Sequence, residues 1–167
     1  MDAMRFLKHS LVPHWWALRV LRVQPEGMLA AIERAIGESE KRHAGELRFV
    51  VEGPLPAAVL AGRTSRQRAI ELFSQLRVWD TEDNSGVLIY VQLVDRKVEI
   101  VADRGIHARV GQAYWEEVCG RLQAEFRAGR FEAGALAAIG EITEALATHF
   151  PPRGNNPNEL PDQPVVL

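Results

Sequence analysis

Seven polar residues carry the chemistry this sequence could do. Asp80, Glu82, Asp83 and Asn84 form one run, Asp103 and Arg104 a second, and Glu46 precedes both. Carboxylates and amide oxygens are the donors that hard divalent cations such as calcium and magnesium take, several at a time. Glu46, Asp80, Glu82, Asp83, Asn84 and Asp103 are therefore the expected metal ligands, with Arg104 beside them to hold an anion. A cation there could polarise a phosphoryl oxygen and acidify a bound water while Arg104 balances charge, which is weak phosphomonoesterase chemistry. The spacing Asp80-x-Glu82-x-Asn84 has the start of a calcium loop. Glycine, however, comes at Gly86 where an EF-hand needs it at Ser85, and Val91 stands in place of the terminal glutamate, so this is no EF-hand. The other reading of the same residues is the turn and capping set of a solvated loop.

Other reactive side chains point to less. His43, His107 and His149 lack the i, i+4 pairing of a zinc helix and read as surface or capping residues. Cys119 falls on an apolar helical stripe with no neighbouring cation, which suits an inert thiol, and as the only cysteine it excludes an intramolecular disulfide. Arg63, Arg66 and Arg68 gather at a helix start, where an anion could be held, although a solvated surface explains them as well. No Gly-rich phosphate loop, nucleophile elbow or dinucleotide fingerprint occurs, and Gly129-Arg-Phe-Glu-Ala-Gly134 has no strand before it; no organic cofactor is expected.

The elements that must position these groups are readable. Pro25 opens a helix over roughly 25–43 with Met28, Leu29, Ile32, Ala35 and Ile36 on one face. Leu47 to Glu52 reads as a strand, and 54–63 as a loop. Thr64 and Gln67 have capping-box spacing before a helix striped by Ala69, Ile70, Phe73 and Leu76. Val87 to Val94 is nearly continuous apolar, as in a strand buried on both faces. Asp95-Arg96 then turns it into Lys97 to Ala102, which alternates in period two. A helix from Gln112 carries Trp115, Val118, Cys119, Leu122 and Phe126, and a last helix runs from Phe131 to Phe150, stopped by Pro151-Pro152. The strand, helix, strand crossover should be parallel, so the fold class is α/β, a three-layer α/β/α sandwich around a small mixed β-sheet. In that arrangement Glu46, the acidic loop 80–86 and Asp103-Arg104 share one sheet end, while Asp95 and Arg96 lie at the other. Residues 1–24 form a basic aromatic arm, 25–150 the domain, and 151–167 a tail expected to be disordered.

Composition bounds the function. The 167 residues are 47% apolar and 25% charged, about one domain, with no apolar run near the roughly 20 residues of a membrane span. Of the net charge of −2, the first 23 residues contribute +3, leaving −5 on the body, which argues against nucleic acid as a partner. The arm has no small-residue cleavage site and does not read as a signal peptide, so the expected location is cytoplasmic, at most peripheral to a membrane. Phe6, Leu7, Leu11, Trp15, Trp16, Leu18 and Val20 could give the arm apolar contact with a protein partner, or could pack back on the domain's own core.

Asn84-Ser-Gly86-Val-Leu-Ile-Tyr-Val followed by Asp95-Arg96-Lys-Val-Glu-Ile-Val resembles the TPM-domain family, also called TPM phosphatases. The opening Gly45-Glu46-Leu47 and the pattern Phe126-Arg127-Ala-Gly129-Arg-Phe131 fit as well, over roughly residues 28–150. The resemblance implies an α/β sandwich, divalent-cation binding in some members, and acid phosphatase activity in some plant members. It also implies association with membrane-anchored LemA-type proteins in bacterial members. Many relatives carry a signal peptide, a transmembrane helix and a Gly-rich tail, none of which is visible here. Where relatives commonly have glycines after the third strand, this chain has Ala102-Asp103-Arg104-Gly105. A binding or assembly module is the function expected, with calcium or magnesium as its cofactor and a protein partner, LemA-type by resemblance. A weak metal-dependent acid phosphatase is the alternative.

Overall fold

The computed structural model describes residues 3–13, 27–60, 62–153 and 157–167; Trp15, Trp16, Leu18 and Val20 of the arm lie outside them. The described elements are α1 (Ala3–Leu11), α2 (Gly27–Glu40), β1 (Leu47–Glu52), α3 (Ala57–Leu60), α4 (Ser65–Gln75), β2 (Val87–Gln92), β3 (Lys97–Ala102), α5 (Arg104–Arg127), α6 (Phe131–His149) and β4 (Val165–Val166). The sheet order is β3-β2-β1-β4, with β1 parallel to β2 and β4, and β2 antiparallel to β3.

Both faces of the sheet are covered because both faces of its central strands are apolar. Leu47, Phe49 and Val51 of β1 and Val87, Ile89 and Val91 of β2 pack on Ile32 and Ile36 of α2, Trp115 and Leu122 of α5, and Ile139, Ile142 and Leu146 of α6. Val50, Leu88, Tyr90 and Val101 face the other way, onto Ala69 and Leu72 of α4, Val78 and Leu160. This is the three-layer sandwich expected. Each fully buried Ile or Leu here adds about 1.5–3 kcal/mol of transfer free energy.

Four details differ from expectation. The hairpin register pairs Val87 with Ala102 and Gln92 with Lys97, so the connection is the four residues 93–96 and not a two-residue turn at Asp95-Arg96. A shift of two leaves each side chain on its own face, and the positive φ of 53° at Arg96 closes the longer loop. The helical stripe of α4 buries Ala69 and Leu72 and leaves Ile70 about half exposed, while α3 interrupts the loop expected over 54–63.

The third difference is a further helical segment, from Arg104, ahead of the helix expected from Gln112; α5 comprises both. Gly105 and Gly111 weaken the helical signal there, and Gly111 does break the helix with φ 79° and ψ 170°. The first turn forms because the Asn84 carbonyl accepts the N–H groups of Gly105 (2.9 Å) and Ile106 (3.3 Å), and because Asp103 Oδ1 accepts the N–H of Arg104.

Finally, residues 157–167 of the tail are ordered against the domain. Val165 and Val166 pair in register with Val50 and Val51, the Gly53 N–H donates to the Leu167 carbonyl, and Leu160 is buried. Periodicity could not announce a strap whose stability comes from the free edge of β1.

Gly86 sits where the acidic loop passes into β2, and a Cβ built on it would fall inside the carbonyl oxygen of Val78. Backbone cannot yield as a side-chain tip would. Gly86→Ala should therefore cost about 3 kcal/mol or more, read as a lowered urea midpoint, while Gly120→Ala on the open face of α5 should leave that midpoint unchanged or raise it.

Candidate functional site

The polar end of the sheet is built by backbone first. Asn84 takes the left-handed conformation, φ 54°, which asparagine tolerates better than most residues. Its carbonyl turns to the N-terminus of α5, and Gly105 is glycine because a Cβ would come within 2.5 Å of the carbonyls of Asp83 and Asn84. The Asp103 N–H donates to the Gly86 carbonyl at 2.8 Å, so Asn84, Asp103 and Arg104 meet at one point, as the topology required. There the Arg104 guanidinium donates from Nε to Asn84 Oδ1 at 3.0 Å.

The other expected ligands turn elsewhere. Arg153 bridges Asp83, at 2.7 Å, and Glu82, at 3.0 Å. Asp80 is exposed and takes part in the loop through its N–H, which donates to the Arg77 carbonyl. Glu46 is at the predicted end of the sheet, but its carboxylate is buried against the tail and accepts the N–H groups of Glu159 (3.0 Å) and Leu160 (3.1 Å).

Whether these residues fit a divalent cation is decided by which oxygens are uncommitted. Asp103 Oδ2 is buried with no hydrogen-bond partner, an oxygen suited to a hard cation. It stands by itself. Among the described residues no three Asp, Glu, His or Cys side chains converge within reach of one metal ion. Arg153 and Arg104 already hold the oxygens of Asp83, Glu82 and Asn84. The residues as placed do not fit a preformed cation cage.

Beside Glu46 lies a feature that sequence reasoning missed. A cleft of about 370 Å³ between α2 and the tail is lined by Gly37, Glu40, Glu46, Arg153, Asn158 and Asp162 among others. Arg48 is buried near it, with Nε and Nη1 lacking hydrogen-bond partners; burial lowers its pKa, while Glu40, Asp162 and Glu46 oppose that effect. Burial pushes the Glu40 carboxyl up to about 9, with the nearby Glu46 charge adding to the effect. Burial likewise raises Glu46 to about 7, against the two N–H groups it accepts. Asp162 and Glu159 belong to a segment without periodicity, so nothing in the sequence tied them to Glu40.

The remaining candidates are structural. His43 is fully buried, which corrects its reading as a surface or capping residue. Its Nε2 meets Ser39 Oγ at 2.8 Å, and Ser39 Oγ meets Thr143 Oγ1 at 2.6 Å, tying α2 to α6. Burial lowers the His43 pKa to about 4, and a Ser–His pair sealed in this way cannot meet a substrate. The Cys119 thiol donates to the Val98 carbonyl at 3.1 Å and is pushed up to about 11 by burial, as expected of an inert thiol. The arginines at the start of α4 are committed to protein groups: Arg63 to Glu71, Arg66 to the Ile100 carbonyl and Arg68 to Glu52.

Comparison with known proteins agrees with this architecture. The family model described as TPM domain matches residues 25–145. The chain is similar to the BA42 protein from the psychrophilic bacterium Bizionia argentinensis, whose NMR structure superposes with a TM-score of 0.71 at 31% identity, covering 83% of this chain and 91% of that one. It is also similar to the N-terminal domain of a protein from P. gingivalis, TM-score 0.57 at 18% identity over 72% and 76% of the two chains, a likeness of fold. None of the curated proteins matches.

Because Glu40 and Glu46 have raised pKa values, the folded protein keeps protons that the unfolded chain has released above the ordinary value of 4.5. Their stabilising effect is complete below that pH and is lost as pH rises, through about 7 for Glu46 and about 9 for Glu40, with a slope of at most about 1.4 kcal/mol per pH unit each. Urea unfolding from pH 5 to 9 should show a falling midpoint. Glu40→Gln, which keeps the protonated group's shape, should remove most of the fall above pH 7; an unchanged slope in that variant would place the titration elsewhere.

Proposed function

The chain belongs to the TPM-domain family, and on that premise we propose that it is a binding or assembly module for a protein partner and not an efficient enzyme. The observation that supports this reading most is how α1 is held. Arg5 reaches Asp95 at 2.8 Å and donates to it through Nε. His9 is buried; its Nδ1 accepts the Leu55 N–H at 2.9 Å, so its Nε2–H donates to Asp95 at 3.1 Å. The helix is thus fixed by its polar face. Its opposite face leaves Leu7 52% and Leu11 71% exposed, with Phe6 40% exposed beside them. Apolar side chains held outward on an anchored helix are what a protein groove takes up.

The partner by family resemblance is a membrane-anchored LemA-type protein. No described helix of this chain is long and apolar enough to cross a membrane. Calcium or magnesium enters as an element that would order the acidic loop. Asp103 Oδ2 and the exposed Asp80 carboxylate are its uncommitted ligands, and Arg153 would have to release Asp83 and Glu82 to provide more. The free Asp103 Oδ2 beside the exposed Arg104 favours the second reading, a weak metal-dependent acid phosphatase.

Leu7→Glu with Leu11→Glu should leave the fold intact and weaken binding to a LemA-type partner by about tenfold or more, measured by light scattering or interferometry with the partner in detergent. Equal binding by wild type and variant would refute the docking face. Calcium- or magnesium-dependent hydrolysis of a phosphomonoester that disappears in Asp103→Asn, which keeps the helix cap, would instead establish the enzyme.

A further inference from the structure

At the sheet end opposite the acidic loop, the α5–α6 turn and the β2–β3 connection enclose a groove of about 350 Å³, within the size range of small-molecule sites. Its floor is apolar: Val91, Leu93, Val98, Phe126 and Phe131. A smaller apolar void behind it shares Val91, Leu93, Phe126 and Phe131 and leads toward Met28 and Phe49. The two phenyl rings stand 5.1 Å apart, set by the tight turn at Gly129, whose φ is 78°. Thus the motif Phe126-Arg127-Ala-Gly129-Arg-Phe131 builds one wall of the groove.

The rim carries Arg96, Lys97 and Arg127 and no carboxylate. Two neighbouring acids are committed elsewhere, Asp95 to Arg5 and His9 and Glu125 to Arg130, while Glu99 is shared between Arg66, at 4.0 Å, and the more distant charge of Lys97. Glu132 is in the first turn of α6, where the helix dipole favours it. Among the described residues no carboxylate comes within ion-pair distance of the three rim cations, and Arg127 donates only to the neutral Gln123. Three cations that outnumber the one acid in reach of them, Glu99, and form no ion pair over an aromatic floor are the complement of a molecule that is anionic at one end and apolar at the other.

We infer that this groove binds a single-chain amphipathic anion, a carboxylate or phosphate head joined to an apolar chain or ring. The head lies among Arg96, Lys97 and Arg127, and the apolar part covers Val98, Phe126 and Phe131. The site is separate from the face of α1 and from the acidic loop, and it stands whether or not the assembly reading does.

The test uses the full chain titrated with decanoate below its micelle concentration, followed by two-dimensional NMR and calorimetry. Saturable one-to-one binding, with shifts centred on residues 91–98 and 123–131, is the result expected. Lys97→Gln with Arg127→Gln should weaken it about fivefold, and decylamine, with the same tail and the opposite charge, should not bind there. Equal binding of decylamine, shifts centred elsewhere, or no saturation would overturn the proposal. So would contacts from residues 14–26 to the groove in the ligand-free protein, which would make the chain's own arm the occupant. A preference for vesicles containing phosphatidylglycerol over monomeric decanoate would also overturn it, by moving the ligand to a membrane surface.

Discussion

The polar end of this domain depends on one backbone oxygen. The first N–H groups of a helix have no partner within the helix, and close to a core they must find one. Here the Asn84 carbonyl serves two of them at once, and it can do so only because Asn84 is left-handed and Gly105 has no side chain. That contact pins the loop to α5, sets Gly86 on the Val78 carbonyl, and delivers β2 to its place between β1 and β3. It also decides what the nearby carboxylates do. Asp103 caps the helix, and Asp83 and Glu82 project toward Arg153. A run of acidic residues that looks like a ligand set in one dimension is largely spent on closing a loop in three.

A second constraint acts a strand away, where Glu40, Glu46, Arg48 and Asp162 share the side of the sheet on which the tail lies. Removing charges from water is costly, and attraction between them offsets it only when every lone pair and proton is met. The cluster meets part of that demand with tail backbone: Glu46 takes two N–H groups from it. Protons answer a further part, since both glutamates hold theirs well above the ordinary carboxylate range, while Arg48 Nε and Nη1 stay without hydrogen-bond partners. The tail is therefore fastened at one end by buried carboxyls and at the other by two ladder residues on β1, and the first fastening depends on pH while the second does not.

Much of the fold was legible because it is written in apolar periodicity. The parallel crossover, the hairpin, the buried stripes of α5 and α6 and the capping box of α4 all follow from which residues cannot stay in water; Thr64 and Gln67 satisfy each other as their spacing implied. What escaped was held by contacts with no period. The first part of α5, with Gly105 and Gly111, is poor ground for a helix and forms on the Asn84 carbonyl. The tail orders on an open strand edge. Glu46 reached the correct end of the sheet, but its face was set by Leu47 taking the core side, which turns Glu46 to the tail. Asp103 and Asn84 did meet, while Asp80, Glu82 and Asp83 followed loop geometry that spacing alone does not contain. Buried His43 was misread because a histidine satisfied by Ser39 and Gly45 looks, in sequence, like any other.

The two ends of the sheet contrast in a way that bears on function. At the acidic end most charges are answered inside the molecule, by a cap, an arginine or a proton, and the exposed Asp80 carboxylate and the buried Asp103 Oδ2 are the exceptions. At the hairpin end the reverse holds. Asp95 is used up in anchoring α1, and that leaves Leu7 and Leu11 facing outward on one side and Arg96 and Lys97 without an ion-pair partner on the other. One carboxylate, by pairing with Arg5 and His9, both fixes an apolar face and leaves the groove with an excess of positive charge. An enzyme of the hydrolytic kind needs its unsatisfied groups gathered around a reacting atom. Here Leu7, Leu11, Arg96 and Lys97 lie instead on surfaces flanking a turn, and the proposed binding role rests on that distribution.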